Sequence, residues 1–431
     1  MNNRFLIFIA LLLALFLSSC GPAPRHVTDF IYESVEYISF DDLAPPGYRL
    51  MQSWDAMGMD DAENVYIGFT SLRPDGKEDF AIFRYHHATG ERAFIDTFME
   101  ASLRAGNLHA DEEIPKGHTN FIHVDGILYM ASQGFHDFKR ALDGSEGEPA
   151  LEDFRGAHLY ALDSRTGELS DLSADLPGGV LLPHEGIIAL NHMPSTGQLI
   201  GLTHPHGSLI FWDMERGAVT RIAAGIAWQP GLVVSRDFVV DDDNQQIYMY
   251  RGPENTTWKE ADDIYLQYDR NDAFPVYVYD YQSDTITESD STVTGGMWGS
   301  AIVLDTQAYV SSAAGHLIEI DFRTGAARVL AQLMPEEYAG EFELSFLYIL
   351  SLSPDQKTIY SIPTYASSDA GNFGGLYEYD IATGQSENVL SLPSRVYTGA
   401  DIKDRAGNLY FAAFGDHGWN DNCTLMVIGS E

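Results

Sequence analysis

Cysteine, positive charge and long apolar runs are all scarce in this chain, and each scarcity excludes something. Only Cys20 and Cys423 occur among 431 residues, so neither a Cys-ligated metal cluster nor a disulfide framework can be built. A chain of this length can bury a core large enough to fold without cross-links. Lys and Arg number 25 against 63 Asp and Glu, for a formal charge of −38. The resulting field repels polyanions, which rules against nucleic acid as a partner. The acids are spread through turn-like pairs such as Asp60-Asp61, Glu112-Glu113, Asp262-Asp263 and Glu336-Glu337. That distribution reads as a solvated, salt-adapted surface in preference to a set of calcium sites. The G-x-S-x-G, Walker A and H-E-x-x-H motifs are absent, so hydrolase, nucleotide and zincin chemistry lack their signatures.

The single long apolar run, Phe5 to Leu17, has 13 residues, short of the ~20 that span a bilayer as a helix. With Arg4 before it and the small residues Ser18-Ser19 after it, it reads as a signal peptide over residues 1–19. Leu17-Ser18-Ser19-Cys20 resembles the bacterial lipobox, which implies lipidation of Cys20 and a mature chain beginning there. A simple secreted signal is the alternative. Gly21 in place of Asp implies the outer membrane as the destination in the cell envelope. Residues 20–29 would be a lipidated linker, the membrane being touched through the lipid alone.

What the chain has in abundance is repetition. A strand, a tight turn and a second strand recur at 54–71, 118–132, 184–203, 237–251, 298–313, 347–365 and 398–414. The turns carry Asp, Asn or Gly, as at Asp125-Gly126, Ser195-Thr196-Gly197 and Arg405-Ala406-Gly407, residues that hairpin turns demand. Most of these pairs are followed by a strand ending in Asp and then a Thr-Gly or similar turn: H-L-Y-A-L-D-S-R-T-G-E from His158, H-L-I-E-I-D-F-R-T-G-A from His316, and G-L-Y-E-Y-D-I-A-T-G-Q from Gly375. Four strands per unit, seven units and little helical periodicity predict an all-β fold: one seven-bladed β-propeller over residues 30–431. Two packed β-domains would be the alternative, but the even spacing favours one closed ring, expected to stand as a monomer. The last unit is one strand short, and the unpartnered strand at 30–40 is predicted to complete it. Residues 143–153 and 252–273 read as loops inserted in the second and fourth units.

In a propeller the innermost strand starts at the face where the second strand ends, so those positions ring the mouth of the central channel. The stretch from Lys116 to Asp137 places His118 at one such position and His136 at the other, with Asn120 nearby. The next unit repeats the logic with His184, His204 and His206. A His cluster can hold a divalent metal or move protons near neutral pH. His118, His136 and His184 are the catalytic candidates; His184, His204 and His206 are the candidate metal ligands. Arg236 and Arg251 are candidate anion contacts, and Trp54 and Trp298 candidate platforms for sugar rings. For each the plainer alternative is a loop hydrogen bond, an ion pair with Asp237 or Glu254, or inter-blade packing.

The layout of His118, His136 and then His184 in the neighbouring blade resembles that of propeller-type polysaccharide lyases, the ulvan lyases and more distantly the oligogalacturonate lyases. The resemblance implies β-elimination on a uronate-containing polymer or oligosaccharide. His118 and His136 would serve as base and acid, with His184, His204 and His206 about the substrate carboxylate. A non-catalytic propeller that binds glycan or protein is the opposing expectation.

Overall fold

The computed structural model describes residues 32–133, 154–204, 207–223, 237–250, 273–294, 298–312, 315–333, 345–346, 349–365, 374–393, 395–415 and 423–430. Seven four-stranded antiparallel sheets form a propeller ring. Blade 3 shows the plan in its simplest form: Gly186–Met193 lies innermost, followed outward by Gln198–His204, Leu209–Asp213 and Ala218–Ala223. Its tight connections follow from local chemistry, as does the hairpin of blade 2. There Asp125 (φ 51°) and Gly126 (φ 85°) both sit in the left-handed region, the geometry a two-residue turn needs between twisted strands.

Strand alternation turns each sheet into a two-faced layer, and the faces of adjacent blades meet in apolar seams. In blade 4, Ile247 and Met249 of Gln246–Tyr250 pack with Ile200, Leu202 and Phe211 of blade 3. Each such side chain contributes ~1.5–3 kcal/mol when fully buried. Summed around a ring of seven seams, these contacts hold the fold in place of disulfides. Cys423 is buried, its thiol against the Met51 carbonyl.

The ring closes as the strand count predicts. Tyr32–Ser39 pairs antiparallel with Thr424–Ser430, with Val35 opposite Ile428 and Tyr37 opposite Met426, and becomes the outer strand of blade 7. Inside it lie Leu409–Phe414 and Val396–Thr398. The N-terminal segment thus staples the last blade, and the Tyr32 hydroxyl donates to the Gly407 carbonyl at 3.1 Å.

Among the described residues the longest departure from the strand pattern is one short helix. Helix α1, Phe98–Arg104, links blades 1 and 2, and Thr97 caps it by accepting from the Glu100 N–H at 3.2 Å. Seven residues are too few to show a helical period against the surrounding alternation. Among the described residues no helix is long and apolar enough to cross a membrane. The predicted inserted loops at 143–153 and 252–273 lie outside the described residues, except for Ala273, which opens the third strand of blade 4.

Candidate active site at the channel centre

The inner strands of blades 1 and 2 are broken at the same level, and the breaks build the site. In blade 1, Arg49–Gln52 and Met57–Met59 both pair with Asn64–Leu72, and the intervening residues Ser53 to Ala56 leave the ladder. In blade 2, Lys116–Gly117 and Ile122–Val124 both pair with Ile127–Gln133, and His118 to Phe121 leave it. His118 was expected to start a strand; it occupies this gap instead. Blades 3 and 5 carry bulges at the same level, between Ile187 and Ala189 and between Trp298 and Ala301. Bulges and breaks free the backbone from pairing and re-aim side chains, as is common beside functional sites. Here they bring Asp55, His118, Asn120, Asp237, Ser300 and Gly399 around one small central cavity of about 10 Å³, room for roughly one water.

His118 is buried, its Nδ1 4.0 Å from Asp55 Oδ2. Its ring stacks on Trp54 with centroids 6.0 Å apart, and Lys116 Nζ lies 5.0 Å from the centre of the same indole. Trp54 is itself fixed by donating to Gln52 Oε1 at 2.8 Å. Asp55 is held at φ 55°, a strained setting for a non-glycine residue, and its Oδ1 accepts from the Gly399 N–H at 3.2 Å across the blade 7 seam.

The second carboxylate, Asp237, precedes the inner strand of blade 4 and accepts from the Phe238 N–H at 2.8 Å and the Asn191 amide at 3.4 Å. Burial pushes its carboxyl up to about 7; the Phe238 and Ala301 N–H groups restrain the rise and the Asp55 charge adds to it. An imidazole, a carboxylate beside it and a second carboxyl displaced toward neutrality form a proton-transfer group.

Of the residues singled out from sequence, His118 and Asn120 line this cavity and Trp54 backs it. Trp298 is completely buried in the main apolar cluster, so it packs between blades and has no free face for a sugar ring. His184 is exposed at φ 62° and donates through Nδ1 to the Phe154 carbonyl at 2.8 Å. His204 is buried at the end of its strand, in register with Gly186, and does not line the cavity. His136, His206, Arg236 and Arg251 lie outside the described residues. Among the described residues no three His, Cys, Asp or Glu side chains converge in a metal-holding arrangement.

Sequence reasoning passed over a second histidine cluster on blade 2. His158 Nδ1 lies 2.7 Å from Asp171 Oδ2 and its Nε2 3.1 Å from Glu112 Oε1, which Arg155 also engages through Oε2 at 2.9 Å. Ser102 of α1 and Asn107 donate to the same Asp171 oxygen at 2.7 and 2.9 Å. Burial opposes a charge on His158, but its bonds to Asp171 and Glu112 outweigh that and raise it above the ordinary value. With every polar atom engaged, this cluster clamps α1 and two loops together. The four charged residues are scattered over 60 positions, from Glu112 to Asp171, without a local motif, so only the fold reveals them. Asp55 and Asp237 stand at the starts of the repeat units 54–71 and 237–251, and that placement was the available signal.

No protein-family model matches this chain, and no curated protein matches it. Among solved structures it is similar to a protein of Bacteroides uniformis ATCC 8492 provisionally assigned as a 6-phosphogluconolactonase. Identity is 11%, 87% of this chain and 94% of that chain are covered, and the TM-score is 0.47.

Proposed function

We propose that this protein is an exported, lipid-anchored propeller that acts on carbohydrate at the centre of its ring, and that its reaction is β-elimination of a uronate-containing glycan. The observation that carries the reading is the convergence of His118, Asp55 and Asp237 on one cavity. In such a reaction a base removes the C5 proton of the uronate, the C4–C5 double bond forms, and the C4–O glycosidic bond breaks as an acid protonates the departing oxygen. His118, steadied by Asp55 and by the Trp54 ring, is the base. Asp237, retaining its proton near neutrality, is the acid. Lys116, above Trp54, supplies positive charge for the substrate carboxylate, which sharpens the acidity of the C5 proton. His136, His204, His206, Arg236 and Arg251 remain candidates for further contacts, and no step depends on a metal.

A second reading is a propeller that binds glycan or protein without turnover, and the small size of the central cavity favours it. One assay separates the two. Uronate polymers incubated with the purified protein are expected to yield unsaturated product, followed by absorbance near ~235 nm, and His118→Ala is expected to lower the rate by ~10²-fold or more. Absence of product from every uronate polymer, or full activity in His118→Ala, rejects the lyase reading.

A further inference from the structure

On the face opposite the site, where first strands end and second strands begin, blades 4 and 5 leave a cleft of about 600 Å³. That is within the range of small-molecule sites. Elsewhere the blade faces meet in apolar seams, and the reverse face of the same strand obeys that rule: Ile247 and Met249 are buried against blade 3. Facing blade 5, Tyr248, Tyr250 and Val276 join the main apolar cluster with Trp298 and Phe322, but toward the turns the lining beyond Val278 becomes polar. Asn244 and Gln246 come from the turn and start of Gln246–Tyr250, and Thr287 and Ser289 come from the outer strand Thr285–Thr294. The opposite wall is the turn of blade 5 at residues 322–325.

This arrangement is a cavity with structured ends. Tyr248 and Phe322 stack with centroids 5.5 Å apart and form its floor. At the outer end Ser291 bridges the blades, donating to the Gly325 carbonyl at 3.2 Å and accepting from the Ala327 N–H at 3.2 Å. Tyr248 donates to Gln246 Oε1 at 3.0 Å, which orients the amide. Among the described residues of the wall the cation is Arg323, which is engaged by Asp321 at 3.0 Å. The lining is therefore amide, hydroxyl and the Val278 side chain over an aromatic floor, with Arg323 paired to Asp321 and Asp290 on the wall. Those groups suit a ligand that offers many hydroxyls and no negative charge; an anion meets Asp290, and among the described residues of the wall a lipid finds little aliphatic surface beyond Val278.

We propose that this inter-blade cleft binds a neutral oligosaccharide, as a site separate from the channel centre. It would hold a glycan chain against the propeller whether or not the centre is catalytic, so the inference stands apart from the lyase reading. Maltotriose, cellotriose and xylotriose, each titrated calorimetrically into the mature protein, are the probes. At least one is expected to bind, with Gln246→Ala and Thr287→Ala each weakening it by about tenfold and His118→Ala leaving it unchanged. Ser289→Trp, which fills the cleft from an accessible strand position, is expected to abolish binding with an unaltered circular dichroism spectrum, and so guards against a folding defect in the alanine variants. Failure of all three sugars to bind, binding that survives Ser289→Trp, or binding lost in His118→Ala overturns the proposal.

Discussion

His158 shows what a buried charge does in this fold. Its imidazole lies between Asp171 and Glu112, and each partner is in turn fixed by neutral donors or by Arg155. Because its folded pKa is raised above 6.5, the stability it contributes is complete below that ordinary value and is lost as pH rises through the raised one. Asp171 and Glu112 are held below their ordinary values of 3.8 and 4.5, so their share is present above those values and is lost as pH falls through the depressed ones. Replacing His158 by Ala leaves Asp171 and Glu112 in place without their shared cation. The expected cost is ~3–5 kcal/mol, read as a lower urea midpoint at pH 6. The wild-type decline in stability on the alkaline side of 6.5 should flatten in the variant. A variant as stable as wild type, with the same pH profile, would show that the clamp is unimportant.

Among the elements, the outer strand of blade 7 has the clearest consequence. It pairs along seven positions with the C-terminal strand, and Tyr32 alone, being buried, accounts for ~1.5–3 kcal/mol. Deleting residues through Ser39 exposes the edge of Thr424–Ser430 and opens the ring. The melting temperature is expected to fall by roughly 10 °C, and a peptide of residues 32–39 added in trans should restore part of it. An unchanged melting temperature would mean that the ring does not depend on this closure. The pairing was legible because an unpartnered strand at one end matched a missing one at the other. The breaks at Ser53 to Ala56 and His118 to Phe121 were not: nothing local in those residues forbids pairing, and they leave the ladder where the inner strands of the ring converge on its centre.

For the molecule as a whole, charge and address act together. A surface of net charge −38 resists association with like-charged polymers at low salt and is screened beyond about 10 Å at ~0.1 M, so uronate binding should strengthen as salt rises. The proposed anchor is tested directly: mass spectrometry of the mature protein should find Cys20 acylated at the new N-terminus, and Cys20→Ser should move the protein from the detergent phase to the aqueous phase. An unmodified Cys20 or a cleavage elsewhere would remove the lipoprotein assignment. The sequence by itself determined the blade count, the turns and the ring closure, because alternation, turn chemistry and strand number are local or countable properties. It also placed His118 and Asn120 near the channel. Only the tertiary structure decided that Asp55 and Asp237 face the same cavity, that Trp298 is core, that His184 serves a loop carbonyl, and that His158 is a clamp. Those outcomes depend on which side chains from distant blades share a volume and how much water remains there, and burial and charge pairing are set by that shared space.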